Sequence, residues 1–562
     1  MSFTRLKLRQ ERPVRDRSAS LGGRRLLCLG AVFALSMGAV GLQLAELAGQ
    51  KRVVAFVEAP AETSTKRGPR RDVVDRNGLP LALSVPTFEL DLDTRLLRSE
   101  KERDEAAIRL AELLPTVSEE DIRREIALGA IDGNAKTRPI ERPISPRLAQ
   151  AAHDLGIPAI SLTQRYDRRY VAGRATSHLL GYTDIDGVGQ AGLEAGLENR
   201  LQQPASAGPL RLSVDMRLQT LVHDVLSRGV AAFDAEGAVG LIMDARTGEM
   251  LAMASLPDFD PGERPTKADI ENKERSRFFP RAAKGLYELG SVFKIFTWAL
   301  AFEMGLADPD EVLDPPKSFS IAGRPISDLH PIREPVTVAE AFAQSSNIVA
   351  AQLMLEAGAP AQRRFFRALG FDAPTGLEMI EAGGARPVWA DNWGDAATAT
   401  AAYGHSISVT PTHLAAAVAT ILNEGRQVTP TLLAKDPNAE QPPQRSVISP
   451  RTSHLMRRVM RLAVTEGSGR SADVFGLAVG GKTGTAEQFA SAAGGYVDEN
   501  VIASFVAAFP VHDPRYLVLV SFDQAEDRSG PEPVRVAGRT AAPVAAEIIA
   551  RAAPLLRIVP EK

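Results

Sequence analysis

One uncharged apolar run near the start of the chain constrains its topology more than any other feature. Leu26 to Leu42, LLCLGAVFALSMGAVGL, extends through Gln43, Leu44 and Ala45 to roughly the 20 residues that a bilayer core requires. Ahead of it, residues 1–25 carry eight Lys and Arg residues against Glu11 and Asp16. A positive flank stays in the cytoplasm. The reading is therefore a cytoplasmic basic arm over 1–25, one transmembrane helix over 26–45, and export of everything after about Lys51. The chain would sit in the inner membrane as a single-pass protein with its main body in the periplasm. A cleavable signal peptide has the same order of regions, but with a shorter apolar core and a small-x-small exit, whereas the exit here is Ala45-Glu46-Leu47. A buried soluble helix would show a polar face, and this run shows none.

The remainder is long enough for several cores, since 562 residues correspond to two to four domains. The single cysteine, Cys28, excludes a disulfide framework and a cysteine-based metal site. The net charge of −3 combines the basic arm with an acidic body, which argues against nucleic acid as a partner. Residues 52–205 are charged and irregular, with turn signals at Asp75-Arg76-Asn77-Gly78 and Asp184-Ile185-Asp186-Gly187, and read as an elongated mixed α/β region. Gln202 to Pro209, QQPASAGP, reads as a linker into a second module over 212–562. There Asp215 is placed to cap a helix with the stripe Leu218, Leu221, Val222, Val225 and Leu226. Val239, Leu241 and Met243 alternate before a turn and a returning strand over Met250 to Met253. Val501 to Phe509 and Tyr516 to Phe522 form a second apolar strand pair, and a helix follows over Val544 to Ala553. The order predicts an α+β fold with an antiparallel sheet between helices.

Three short motifs follow one another in the second module: Ser291-Val292-Phe293-Lys294, Ser345-Ser346-Asn347, and Lys482-Thr483-Gly484-Thr485. Each alone is weak, because average residue usage gives about one Ser-x-x-Lys and one Ser-x-Asn by chance in a chain of this length. Context adds to them. Phe293 to Met304 reads as an apolar helix, so Ser291 sits at a helix N-terminus, where the dipole favours developing negative charge, with Lys294 one turn on. A partly desolvated lysine there can lose its proton and serve as base, whereas the bland alternative is a capping serine beside a surface lysine. Thr337 to Glu340 is a capping box, which puts Ser345 to Asn347 in the polar break after a short helix; a plain helix C-cap fits the same residues. Gly476 to Thr483 also satisfies the phosphate-loop pattern G-x-x-x-x-G-K-[ST]. No apolar strand precedes it, too few residues follow for a parallel sheet, and ATP is not expected outside the membrane. A strand edge is the alternative, with glycines that let a substrate backbone approach and threonine hydroxyls that can bind a carboxylate. Lone histidines such as His178 and His405 read as structural.

Taken together, these motifs resemble the serine penicillin-recognising enzymes. Arg67-Gly68 with Asp75 to Gly78 and Leu81-Ala82 is similar to the opening motif of the non-catalytic domain of class B penicillin-binding proteins. His178 to Glu194, HLLGYTDIDGVGQAGLE, Tyr287 to Gly290, and Ile407 to Pro411 extend the likeness over about 60–560. The division-type branch fits better than the elongation type. The resemblance implies a dimerisation or pedestal domain over 52–205 and a transpeptidase domain over 212–562. It also implies a peptidoglycan D,D-transpeptidase that cross-links stem peptides of the septal wall and is a target of β-lactams. Ser291 would be the nucleophile and Lys294 its base, Ser345 and Lys482 would relay the proton, and Asn347 would orient the substrate. Thr483, Gly484 and Thr485 would bind substrate, and the backbone N–H groups of Ser291 and Thr485 would form the oxyanion hole. No metal or cofactor is implied, and the expected partners are an FtsW-type lipid-II polymerase and other divisome proteins. Two departures stand out: Tyr170 to Gly173 lacks a proline expected there, and His405 replaces a small residue in a loop expected to stand away from the core motifs. An elongation-type enzyme, a β-lactamase or antibiotic sensor using the same serine, and a non-catalytic scaffold remain as alternatives.

Overall fold

A computed structural model describes residues 68–560 except 132–136, 273–274, 317–318, 391, 437, 440–442 and 491–494. The basic arm and the apolar run lie outside the described residues. No helix among the described residues is long and apolar enough to cross a membrane.

The N-terminal part is built on a five-stranded sheet. Its long strand β2 (Pro80–Leu92) pairs antiparallel with β1 (Val73–Val74), β3 (Arg138–Ile144) and β4 (Ile160–Tyr170). Three helices cover one face: α1 (Glu100–Leu113), α2 (Glu119–Ile131) and α3 (Pro146–Asp154). Their starts are written locally. Ser99 and Glu102 form a capping box on α1, and Ser145 caps α3 ahead of a proline in its first turn. Leu90, Leu92, Leu110, Ile122, Ile126 and Ala149 make this core.

The expected linker is not a free tether. Leu210–Arg211 forms strand β5, which pairs parallel with β1. Arg71 donates from Nε to the Gly208 carbonyl at 2.7 Å and from Nη2 to the Ala207 carbonyl at 3.2 Å. Asp75 accepts from the Asn77 and Leu79 N–H groups of its own turn and from the N–H of Met216 beyond the linker. Beneath these bonds Glu194, fully buried, is gripped by Arg70 at 2.7 Å and Arg168 at 2.7 Å. One apolar cluster then runs from Val73 and Leu81 through Leu180 and Leu193 to Leu241 and Phe293. Polar side chains from segments more than a hundred residues apart fix this junction, which is why composition alone read it as a spacer.

The C-terminal part holds a second five-stranded sheet, wholly antiparallel. With β6 (Gly237–Asp244), β7 (Met250–Leu256), β8 (Gly480–Ala490), β9 (Gly495–Phe509) and β10 (Tyr516–Asp523), the order is β8-β9-β10-β6-β7. Asp215 caps α4 (Met216–Ala232) as expected, and the predicted stripe of that helix is buried. With α9 (Ala541–Leu555) it covers one face through Val222, Leu226, Ile548 and Ile549. The other face packs on α5 (Lys294–Met304) and α8 (Pro450–Thr465) through Leu241, Leu519, Ile295 and Met460. Covered on both sides, β10 buries all of Tyr516 to Phe522, so strict alternation is lost. Strand β8 lies at the sheet edge, where a further chain can approach.

Candidate active site

Three elements converge at that edge. A 3₁₀ turn over Gly290–Phe293 carries Ser291 and leads into α5, so the helix proper begins at Lys294, one residue later than its apolar run suggests. The capping box on α6 (Val338–Ala343) sets up the second element. Its chain turns sharply at Ser345, which takes φ +63°, and Ser346 then caps α7 (Asn347–Ala357). A left-handed serine is strained unless its surroundings hold it, and such strain concentrates at functional sites. The third element is β8, with Lys482 paired opposite Val506.

Close packing sets the spacing between the turn and the strand. A Cβ on Gly484 would lie 2.3 Å from the Leu289 carbonyl oxygen and 2.9 Å from Val292 Cγ1. A Cβ on Gly290, at φ +58°, would lie 2.6 Å from the Thr485 carbonyl oxygen. The strand backbone therefore rests directly on the nucleophile turn, and glycine is required for the approach. Gly484→Ala is expected to push β8 away and slow acylation by a β-lactam by about 10²-fold with little loss of folding, as measured by stopped-flow acylation beside a thermal melt.

Lys294 and Lys482 are both fully buried. The Lys294 Nζ lies 3.0 Å from Ser291 Oγ, 3.0 Å from Ser345 Oγ, 2.5 Å from the Ser345 carbonyl oxygen and 2.7 Å from Asn347 Oδ1. Lys482 Nζ lies 2.9 Å from Ser345 Oγ and 3.1 Å from the Thr483 carbonyl oxygen. Ser291, Lys294, Ser345 and Lys482 thus form one unbroken chain of hydrogen-bonding atoms. Burial, and next the nearby Lys482 charge, hold Lys294 well below the ordinary lysine range, against a smaller opposing pull from Asp328. Burial lowers Lys482 to about 7. A neutral Lys294 amine fits its four oxygen neighbours. Two N–H bonds serve the Ser345 carbonyl and Asn347 Oδ1, and the lone pair faces a serine hydroxyl. Such an amine can take the Ser291 proton.

The arrangement has a stability consequence. Above about pH 7 the native protein releases the Lys482 proton, which the unfolded chain keeps up to about 10.5. The unfolded state binds more protons in that window, so this lysine favours the native state increasingly as pH rises through it and disfavours it most at lower pH.

The penicillin-binding protein transpeptidase domain matches residues 238–550, and the penicillin-binding protein dimerisation domain matches residues 65–207. A Caulobacter vibrioides protein named "Probable peptidoglycan D,D-transpeptidase FtsI" is 34% identical over 500 residues, covering 87% of this chain and 82% of the relative. The Escherichia coli protein named "Peptidoglycan D,D-transpeptidase FtsI" is 27% identical, covering 87% of this chain and 86% of the relative. The chain belongs to the class B penicillin-binding proteins. In fold, it is similar to penicillin-binding protein 3 of Mycobacterium tuberculosis, solved with aztreonam, with a TM-score of 0.67 at 23% identity over 88% of this chain and 98% of that one.

Within this penicillin-binding protein, the residues of the three motifs lie at or beside the cluster. Thr485 is exposed and Ser291 half-buried, so the site opens to solvent there while the lysines stay closed off. The Thr483 hydroxyl lies 2.5 Å from Ser468 Oγ, and Thr485 Oγ1 accepts from the Ala537 N–H. Lys482 and Thr483 sit inside an edge strand, not at a helix N-terminus, which removes the phosphate-loop reading.

Other residues were not legible in sequence. Asp328 accepts from Ser346 Oγ at 2.8 Å and from the N–H groups of Asn347 and Ile348, while Asn347 Nδ2 donates to the Ser327 carbonyl. It holds the start of α7, and nothing in its local sequence marks it. The segment around His405 corrects an expectation. It does not stand away from the core motifs, because a Cβ on Gly404 would lie 2.1 Å from the Gly290 carbonyl oxygen. His405 Nδ1 lies 3.2 Å from Glu288, whose carboxylate also accepts from the Ser406 N–H. This imidazole helps brace the turn that presents Ser291. His178 is structural as expected. Its Nε2 contacts the Pro257 carbonyl, and burial pushes it down to about 4, so it is neutral at physiological pH.

Proposed function

We propose that this penicillin-binding protein is a membrane-anchored, septal D,D-transpeptidase in which Ser291 is the nucleophile. The observation that carries the reading is the continuous Ser291, Lys294, Ser345, Lys482 chain with both lysines buried. Lys294 takes the hydroxyl proton as Ser291 Oγ bonds to the penultimate D-Ala carbonyl of a stem peptide. The backbone N–H groups of Ser291 and Thr485 receive the developing oxyanion. As the C–N bond to the last D-Ala breaks, Ser345 and Lys482 deliver a proton to the leaving amine. Thr483 and Thr485 face the substrate carboxylate, and Asn347 orients the peptide. An amine of a neighbouring stem then takes the acyl group and restores the Ser291 hydroxyl. A β-lactam acylates the same serine and lacks a small leaving group.

The basic arm and apolar run support an inner-membrane anchor with the catalytic part in the periplasm. The FtsI names of two relatives support septal work. Depleting the protein from its host tests that role: filaments are expected, and round cells would assign it to elongation instead.

The proton path predicts a pH profile. Acylation requires Lys294 unprotonated and Lys482 protonated, so the rate falls toward acid as Lys294 gains a proton and toward alkali as Lys482 loses one near about 7. The two limbs belong to the coupled pair. In Lys482→Arg the guanidinium keeps its proton, and the alkaline limb is expected to move upward in acylation rates measured from pH 5 to 10.

A further inference from the structure

Behind α7 runs the helix Ala359–Ala368, APAQRRFFRA, which carries three arginines and no acid. Gln362, Phe365 and Phe366 are its buried residues, and Phe366 meets Phe293 and Phe371 edge-on. That packing leaves Arg363 half-buried and Arg364 and Arg367 exposed. With Trp393 they line a groove of about 340 Å³. Trp393 is 7% exposed and donates from Nε1 to Gln362 Oε1 at 2.9 Å, so the groove has a fixed floor. Arg367 lies 5.9 Å from the centre of the Trp389 ring.

None of these three arginines contacts a carboxylate among the described residues. A second arginine-lined groove is different, because there Arg458 is paired with Asp310 and Arg461 with Asp473. Three guanidiniums within little more than a turn of helix, none paired with a carboxylate among the described residues, repel one another, and on an acidic body they form a local attractor for anions. Their planar forks match carboxylates. The floor offers one nearly buried ring and no deep apolar pocket, which favours a carboxylate-rich, weakly apolar ligand over a protein segment that needs an aromatic anchor. The same helix packs on the nucleophile turn, where the Phe366 and Phe293 ring centres lie 6.0 Å apart.

We propose that this groove binds the free carboxylates of peptidoglycan stem peptides and so holds a wall strand while another stem reaches Ser291. The proposal rests on the transpeptidase reading above. A wall strand repeats its carboxylates along a polymer, so weak single contacts add when one stem is held at the groove and another at the serine.

The test uses full-length protein in detergent micelles, sedimented with purified sacculi at low and at physiological salt. The variants are Arg363→Glu/Arg364→Glu/Arg367→Glu and the matching triple Arg→Lys, with thermal melts to establish that each is folded. Charge reversal is expected to weaken co-sedimentation about tenfold, and the lysine triple, which keeps the charge but loses the planar fork, to weaken it by a smaller factor. Sacculi whose carboxylates have been amidated should bind the wild type as weakly as untreated sacculi bind the reversed variant. Equal sedimentation of wild type and the folded reversed variant would overturn the proposal. So would a deficit that persists on amidated sacculi, which would give the groove to another anion. A penicillin adduct on the wild type is recorded from the same preparation. With the adduct present, a sedimentation failure removes only the groove, whereas an absent adduct removes the transpeptidase reading itself.

Discussion

Lys294→Met is expected to abolish acylation of Ser291, lowering its rate by about 10³-fold or more while the protein stays folded. Methionine fills a similar volume in the buried site but supplies no lone pair for the serine proton and no N–H for Asn347 Oδ1 or the Ser345 carbonyl. General-base removal alone costs about 10²–10⁴-fold. Here the loss should lie in the upper part of that range, because the same nitrogen bridges Ser291 to Ser345 and its removal breaks the path toward Lys482. Folding should survive, because removing a buried, charge-disfavoured amine also removes its desolvation cost. Second-order acylation rates with a fluorescent penicillin, read beside a melting curve, check both parts. A rate within tenfold of wild type would mean that another group takes the proton.

Glu194→Gln should destabilise the protein by about 3–5 kcal/mol without touching the catalytic cluster. The Glu194 carboxylate is fully buried and faces two arginines that are themselves nearly buried, Arg70 and Arg168. The amide keeps the shape but leaves the two guanidiniums with one carboxylate, Glu198, which reaches Arg70 alone, with the Ser84 hydroxyl on Arg168, and with backbone carbonyls. Breaking one side of a buried pair costs more than the pair contributes when intact, because an uncompensated charge stays behind. Denaturant unfolding gives the number, and penicillin acylation below the transition should remain near wild type. A change under about 1 kcal/mol would mean that the charge escapes to solvent and that the junction is held by its apolar cluster.

These two sites differ in how openly the sequence declares them. Ser291 and Lys294 lie one helical turn apart, and the Thr337 to Glu340 box announces the helix that ends two residues before Ser345, so local pattern sufficed for each. What local pattern could not give is how the motifs meet, since Ser345 and Lys482 are 137 positions apart and only the edge position of β8 joins them. The grip on Glu194 is as remote, with Arg70 124 positions away, so the composition of Gln202 to Pro209 alone reads as a linker. Asp328 and Ser468 were missed for the same reason: a carboxylate or hydroxyl that acts on a distant backbone looks like any surface residue in sequence. Strand extents suffered differently. Strand β9 begins at Gly495, six residues before the expected Val501, because the polar stretch GYVDEN carries no apolar signal. The α+β class and the antiparallel sheet between helices were legible because α4 writes its helical period and β6, β7, β10 and α9 each write an apolar run of their own.

The central claim is that Ser291, activated by Lys294, forms an acyl-enzyme. Intact-protein mass spectrometry after incubation with a penicillin, on the wild type and on Ser291→Ala, tests it most directly. The account predicts a stable mass increase of one penicillin on the wild type and none on the variant. A folded wild type that gains no adduct, or a Ser291→Ala protein that gains one, would contradict it.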